Sequence, residues 1–210
     1  HMKSLKIKKG LVGKVIIPGD KSISHRSVII PSISKGVSEI SNILMSEDVK
    51  NTIKAFELLG VKIKKIKTKI KIYGKGLNSL KKPKKKIYLG NSGTSARLLI
   101  GLLASQSFNS SLSGDKSLSK RPMRRITEPL KLMNAKIKTN KGKLPIKIYG
   151  SELSNKNHKI KIPSAQIKSG LLLAALNTKG KTTINEANTT RDHSEKMLKS
   201  FGANIKIKKA

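Results

Sequence analysis

A threefold internal repetition constrains this chain more than any other feature. Three segments share one plan: a short apolar strand, a tight turn of small or hydroxyl residues, and an apolar run of helix length. The first is Val15-Ile16-Ile17-Pro18, then Gly19-Asp20-Lys21-Ser22, then apolar residues through Ile33. The second is Ile87-Tyr88-Leu89-Gly90, then Asn91-Ser92-Gly93-Thr94, then apolar residues through Ala104. The third is Ile160-Lys161-Ile162-Pro163, then Ser164-Ala165-Gln166, then apolar residues through Leu176. Aligned on Ser22, Ser92 and Ser164, the copies are offset by 70 and 72 residues. That period is too long for a solenoid and suits a repeated unit of the βαβαβ type.

A second pattern recurs inside each copy. Phe56-Glu57-Leu58-Leu59-Gly60-Val61-Lys62-Ile63 corresponds to Leu130-Lys131-Leu132-Met133-Asn134-Ala135-Lys136-Ile137 and to Leu198-Lys199-Ser200-Phe201-Gly202-Ala203-Asn204-Ile205. Each reads as a helix that stops at Gly or Asn, which tolerate a left-handed cap, followed by an alternating strand. The first helices are predicted over residues 22–34, 94–105 and 164–176. The second helices are predicted to begin after Ser46-Glu47-Asp48, after Ser119 and near Asp192, all serviceable caps. Hairpins are expected at residues 61–63 with 70–73 and 136–138 with 146–149. The fold class is therefore α/β (α+β): three βαβαββ units, about 17–80, 81–150 and 151–210, around a pseudo-threefold axis. His1-Met2 reads as a tag remnant, and residues 3–16 as a separate N-terminal strand. The third copy offers one closing strand, at 204–208, so the expectation is a truncated piece of a longer protein.

Composition narrows the chemistry. Aromatics are 3% with no Trp, so the core must be built from Ile, Leu, Val and Ala. The absence of Cys excludes disulfides, thiolate metal sites and thiol catalysis, and it fits a reducing compartment. The longest apolar runs, 98–104 and 170–176, are far short of the roughly 20 residues of a membrane span. No secretory leader is legible, and a cytoplasmic location is expected.

Lys and Arg number 46 against 11 Asp and Glu, a net charge of +35. Such a charge raises the reading of a basic nucleic-acid-binding protein. Against it, the lysines are spread along the whole chain, and few aromatics are available to stack on bases. The even spread fits a coding bias that favours Lys, Ile and Asn. Lys81-Lys82-Pro83-Lys84-Lys85-Lys86 reads as a solvated linker. The arginines are more informative: Arg26, Arg97, Arg121, Arg124, Arg125 and Arg191 are the whole set, and all lie in or beside the turn motifs. In a chain that uses Lys almost everywhere, Arg marks places where a planar fork binds phosphate or carboxylate.

Each first helix starts where free backbone N–H groups and the positive helix end gather, an anion site by construction. Three equivalent turns are expected to face a common centre. In Asp20-Lys21-Ser22-Ile23-Ser24-His25-Arg26, Arg26 falls one turn after Ser22 on the same helix face. In Leu89-Gly90-Asn91-Ser92-Gly93-Thr94-Ser95-Ala96-Arg97, Gly93 allows close approach to the backbone and Thr94 is a candidate cap. In Ser119-Lys120-Arg121-Pro122-Met123, Pro122 suits a first helical turn with Arg121 at its mouth. Ser164-Ala165-Gln166 and Thr190-Arg191-Asp192-His193-Ser194 complete the set. Asp192 and His193 are adjacent on a helix and do not face each other, so capping and structural roles are expected of them. No Ser/His/Asp triad and no metal-ligand spacing is readable.

Taken in order, Pro-Gly-Asp-Lys-Ser-Ile-Ser-His-Arg from Pro18, Leu-Gly-Asn-Ser-Gly-Thr from Leu89, Arg-Pro-Met from Arg121, Ser-Ala-Gln from Ser164 and Thr-Arg-Asp-His-Ser-Glu-Lys-Met-Leu from Thr190 resemble the EPSP synthases. The resemblance spans residues 5–208. It implies transfer of the enolpyruvyl group of phosphoenolpyruvate to the 5-hydroxyl of shikimate 3-phosphate, within aromatic amino-acid biosynthesis. It also implies two domains of three βαβαββ units each, closing like an inside-out barrel. The first strand would belong to the opposite domain. The resemblance carries Lys21, Ser22, Arg26, Ser164, Ala165, Gln166 and Arg191 to shikimate 3-phosphate, and Lys21, Gly93, Arg121 and Gln166 to phosphoenolpyruvate, with Gly93 lining the slot where glyphosate competes. It implies no metal and no organic cofactor. The acid–base groups would lie in the C-terminal domain, so Lys21 is expected to position substrate and this chain to bind without completing the reaction. The UDP-N-acetylglucosamine enolpyruvyl transferases share the fold but lack these motifs. Partners are expected to be the two substrates and the C-terminal domain, with no membrane and no specific nucleic acid.

Overall fold

The structure, a computed structural model, describes residues 5–7, 12–16, 21–186 and 193–200. In chain order it holds β1 (Leu5–Ile7), β2 (Val12–Ile16), α1 (Lys21–Ser32), β3 (Lys35–Ser41), α2 (Glu47–Leu58), β4 (Lys62–Ile66) and β5 (Lys69–Lys75). There follow β6 (Ile87–Tyr88), α3 (Gly93–Ala104), β7 (Ser110–Ser113), α4 (Arg124–Leu132), β8 (Lys136–Asn140) and β9 (Lys143–Tyr149). Last come β10 (Asn157–Ile160), α5 (Ala165–Ala175), β11 (Thr183–Glu186) and α6 (His193–Ser200).

The repetition is visible in the sheets. In the first copy β2 runs parallel to β3, β3 antiparallel to β5, and β5 antiparallel to β4, giving the order β1-β2-β3-β5-β4. The second copy repeats this as β6-β7-β9-β8 with the same directions. The third shows the parallel pair β10-β11, and its closing strand at 204–208 lies outside the described residues. The N-terminal β1 pairs antiparallel with β2 at the edge of the first sheet.

The helix stops sit where the sequence puts them: Gly60 and Asn134 take φ of 91° and 70°. The hairpins are longer than predicted. Their strands run on through lysines to turns at Lys67 and Lys141, both at positive φ. On β9 the inward residues Leu144, Ile146 and Ile148 are buried, while Lys143 and Lys147 face out. The lysine excess thus sits partly on the solvent faces of alternating strands, where it costs the core nothing.

The chain forms two compact units, residues 1–81 with 193–210, and residues 82–192. The third copy is therefore divided: β10, α5 and β11 belong to the second unit, and α6 to the first. The core of the first unit is Val28, Ile29, Ile30, Ile40, Ile53, Phe56, Ile70 and Ile72, all at most 1% exposed. In the second, α3 packs on α5, and Leu98, Leu99, Leu102, Leu171 and Leu173 of these helices are at most 1% exposed. Their close approach depends on Gly101 and Gly170, since a Cβ on Gly101 would lie 2.0 Å from the Gly170 carbonyl oxygen. Among the described residues no helix is long and apolar enough to cross a membrane.

Candidate functional site

In the first unit, the predicted cluster forms at the start of α1. Lys21 is half-exposed and ion-paired with Asp48, which lies in the first turn of α2 behind the Ser46 cap. Arg26 is buried. Its Nη1 donates to the Ser22 hydroxyl and to the Ser22 carbonyl oxygen (3.3 Å), and its Nε donates to Ser194 Oγ at 2.8 Å. Ser22 and Arg26 thus meet across one helical turn, as their spacing predicts. Ser194 on α6 supplies a support that local sequence does not reveal.

His25 lies behind this cluster, 1% exposed, with Nδ1 2.8 Å from Thr52 Oγ1. The Thr52 hydroxyl is 3.2 Å from the Asp48 carbonyl oxygen, to which it donates. Nδ1 is then the donor to Thr52, which fixes the imidazole tautomer. Burial pushes the His25 pKa down from its usual 6.5 to about 4; Asp48 raises it, while Lys21 and Arg26 lower it further. The ring is neutral at pH 7 and acts as a fixed hydrogen-bonding wedge between α1 and α2.

In the second unit, the carboxyl ends of the parallel strands β6 and β7 lead into the turns that carry the motifs, the usual ligand end of such a strand pair. The ladder continues past the strands, with Leu89 N–H to Ser113 O at 2.9 Å and Asp115 N–H to Gly90 O at 2.8 Å. Asp115 Oδ1 accepts from Leu118 N–H at 2.8 Å and starts the 3-10 turn that delivers Arg121. The cap of α3 is Ser92, which accepts from Ser95 N–H at 3.0 Å. Thr94, the expected cap, is already helical. Its hydroxyl instead accepts from Gln166 Nε2 at 3.1 Å.

Arg97 ties this region together. Its guanidinium donates to Gln166 Oε1 at 2.8 Å, to Gly93 O at 3.3 Å and to Pro122 O at 3.1 Å. A Cβ built on Gly93 would stand 2.6 Å from Arg97 Nη1 and 2.7 Å from Arg121 Nη1, so two guanidinium groups lean over the bare backbone there. Burial lowers the Arg97 pKa, and the like charges of Arg121 and Arg125 lower it further. Sequence reasoning includes Arg97 in a motif but gives it no role, although its membership of a set of six arginines is the signal that marks it.

A second local expectation is corrected. Pro122 is not in a helix: Arg121 N–H closes the 3-10 turn on Leu118 O at 3.0 Å and Met123 N–H is taken by Gly142 O at 2.8 Å. The helix α4 therefore begins at Arg124. Ser164 caps α5, accepting from Ile167 N–H at 3.3 Å, with Ala165 and Gln166 in the first turn. Lys21, Ser22 and Arg26 lie in the first unit; Gly93, Arg121, Ser164, Ala165 and Gln166 in the second. Arg191 and Asp192 lie outside the described residues. Among the described residues no group of three or more His, Asp or Glu could hold a metal ion.

Both clusters are cationic, rich in backbone and hydroxyl donors, and suited to small oxyanions. A family model, EPSP synthase (3-phosphoshikimate 1-carboxyvinyltransferase), matches residues 5–210. A 3-phosphoshikimate 1-carboxyvinyltransferase of Ruthia magnifica subsp. Calyptogena magnifica is 52% identical over 200 residues, 95% of this chain and 46% of the relative. One from Oceanobacillus iheyensis is 48% identical over 202 residues, covering 95% and 47%. A solved structure of EPSP synthase from Acinetobacter baumannii superposes with a TM-score of 0.88 at 45% identity, over 94% of this chain and 45% of that one. The chain spans about half the length of the curated relatives it matches.

Proposed function

The chain belongs to the EPSP synthase family, and from that premise we propose that it carries substrate-binding residues for transfer of the enolpyruvyl group of phosphoenolpyruvate to shikimate 3-phosphate. Lys21, Ser22 and Arg26 from the first unit, Ser164, Ala165 and Gln166 from the second, and Arg191 bind shikimate 3-phosphate. Phosphoenolpyruvate takes Lys21, Gly93, Arg121 and Gln166. The observation that carries the reading is the pair of guanidinium groups over Gly93. Two like charges held that close, one with its pKa lowered first by burial and further by the other, make a place where an arriving anion relieves repulsion and gains charge-assisted hydrogen bonds.

Arg97 then acts as a positioning residue. It fixes the Gln166 amide by taking Oε1, which turns Nε2 toward Thr94. Lys21 starts from its ion pair with Asp48, so a phosphate must compete with that carboxylate for the ammonium. Such a seat supplies proximity and orientation. Stabilisation of the transition state requires a complete, closed site, and we infer that the 210 residues bind both anions without turnover, the acid–base groups lying in the remaining half of the family's length. The reading invokes no metal and no organic cofactor, and places the protein in the cytoplasm.

The test is a titration of shikimate 3-phosphate at about 0.15 M ionic strength, where surface charge is screened beyond ~8 Å, followed by amide NMR. Shifts concentrated at Ser22, Arg26 and residues 164–166 are expected. Diffuse shifts that inorganic phosphate reproduces and added salt erases would refute the assignment.

A further inference from the structure

The segment Thr139-Asn140-Lys141-Gly142-Lys143-Leu144-Pro145 forms the tip of the β8–β9 hairpin in the second unit. Asn140 pairs with Lys143, so Lys141 and Gly142 make a two-residue turn. Their φ values of 52° and 80° are the two positive angles that a type I′ turn needs. Behind the turn the ladder is irregular. Between the pairs Lys138–Lys147 and Asn140–Lys143, Thr139 alone faces Leu144, Pro145 and Ile146. Irregularities of this kind bend a strand pair and re-aim what it carries. Here the Thr139 hydroxyl accepts from Gly142 N–H at 2.9 Å, which steadies the tip.

The tip is docked on the stretch of chain that carries Arg121. Gly142 O accepts from Met123 N–H at 2.8 Å, and Lys141 O accepts from Arg124 Nη2 at 3.5 Å. Arg97 Nη2 donates to Pro122 O at 3.1 Å, and Arg121 N–H closes on Leu118 O at 3.0 Å. Each of the four residues from Arg121 to Arg124 is thus tied to a different partner, and the hairpin tip supplies two of the four.

Turn chemistry favours glycine at 142 without requiring it, since asparagine also tolerates positive φ. The stricter demand comes from the docking. A Cβ on Gly142 would lie 2.3 Å from Arg124 Nε and 2.8 Å from Arg124 Cγ. A side chain there displaces Arg124 and strains the bond from the Met123 amide to the Gly142 carbonyl. Arg121 lies two residues before that amide, and its Nη1 is one of the two guanidinium nitrogens that lean over Gly93. On the substrate reading given above, we propose that Gly142 is a positioning residue for phosphoenolpyruvate: the docked hairpin tip sets where the Arg121 guanidinium stands over Gly93.

The experiment compares Gly142→Asn with Gly180→Asn in the full 210-residue chain. Gly180 belongs to the same unit and has the same φ of 80°, and a Cβ there would lie 2.9 Å from Asn155 Nδ2. The two changes therefore differ in place rather than in kind. Calorimetric titration of phosphoenolpyruvate at about 0.15 M salt should show ~tenfold weaker binding in Gly142→Asn and a change within about twofold in Gly180→Asn. The Arg121 side-chain Nε–H resonance should move in the first variant alone. Thr139→Val keeps the side-chain shape and removes the acceptor for Gly142 N–H, so it should weaken binding by roughly threefold and move the same resonance; it carries the test if Gly142→Asn does not fold. Shikimate 3-phosphate, which is not assigned to Arg121, should bind the parent and all three variants within about twofold. Equal weakening in the two asparagine variants, or equal weakening of both ligands by Gly142→Asn, would overturn the proposal and leave Gly142 a structural residue. A parent chain that binds no phosphoenolpyruvate would refute the substrate reading instead. The Arg121 resonance then decides the positioning by itself: displacement in Gly142→Asn and Thr139→Val but not in Gly180→Asn upholds it, and any other pattern overturns it.

Discussion

Replacing Gly101 with alanine drives a methyl group into the backbone of α5. The new Cβ would lie 2.0 Å from the Gly170 carbonyl oxygen, 2.6 Å from its carbon and 2.9 Å from its Cα. Contacts under 3.0 Å are essentially never seen for a real Cβ, so the helices must part by about 1 Å at the crossing. Overpacking of this kind costs ~1–3 kcal/mol when side chains can yield. Here the obstacle is backbone, and the loss belongs at the upper end. Alanine recovers ~1 kcal/mol of helix propensity over glycine. The net expectation is a destabilisation of about 2 kcal/mol, or roughly 4–8 °C in Tm for a chain of this size, read by thermal and urea denaturation with circular dichroism. The separation also pulls Gln166, on α5, away from Thr94 and Arg97, on α3, across bonds of 3.1 and 2.8 Å, so the Gln166 side-chain amide resonances should shift. Gly170→Ala is a graded comparison: its obstacles are the movable Ile126 Cδ1 at 2.7 Å and the Arg97 carbonyl oxygen at 2.8 Å, a milder backbone clash than the 2.0 Å at Gly101, and the loss should be smaller. A Gly101→Ala protein that melts with or above the parent would refute the account of the α3–α5 crossing.

Gly93→Ala should behave in the opposite way. Its Cβ meets only the ends of the Arg97 and Arg121 side chains, so stability should change by no more than ~0.5 kcal/mol while phosphoenolpyruvate affinity falls by roughly tenfold in calorimetry; unchanged affinity would remove Gly93 from the seat. His25 sets a pH dependence. Its folded pKa of about 4 lies below the usual 6.5, so the unfolded chain binds the extra proton, and stability present above pH 6.5 is lost as pH falls toward 4. The shift corresponds to about 3 kcal/mol. Urea denaturation at pH 4.5 and 7 should show a steeper loss in the parent than in His25→Gln, and equal slopes would contradict a buried neutral ring.

Much of the fold is legible because each copy announces itself locally. A strand, a hydroxyl-bearing turn and an apolar helix recur at fixed offsets, and Gly60 and Asn134 stop their helices by tolerating positive φ. Alternation on β9 separates buried Ile146 and Ile148 from exposed Lys147 without knowledge of the partner strand. The same local logic recovers the Ser22–Arg26 pair, since i and i+4 share a helix face. What escapes is decided by residues distant in sequence. Nothing near Pro122 shows that Gly142, on a hairpin turn, captures the Met123 amide and delays α4. Thr94 has the chemistry of a cap, but Ser92 takes that role and Gln166, 72 residues away, claims the Thr94 hydroxyl. The place of Arg97 in the seat and the packing of α6 with α1 depend on the same long-range meetings.

The split of the third copy sets an order of events in biosynthesis. The second unit is one continuous stretch, 82–192, and has all its elements once that stretch has left the ribosome. The first unit, although it is made first, lacks α6 until residues 193–200 emerge. Domains usually fold from the N-terminus onward as synthesis proceeds, and here the unit that is begun first is completed second. Arg26 is among the earliest residues translated, yet the Ser194 hydroxyl that accepts from its Nε comes 168 residues later, so this buried arginine gains that partner only after the whole second unit has been made.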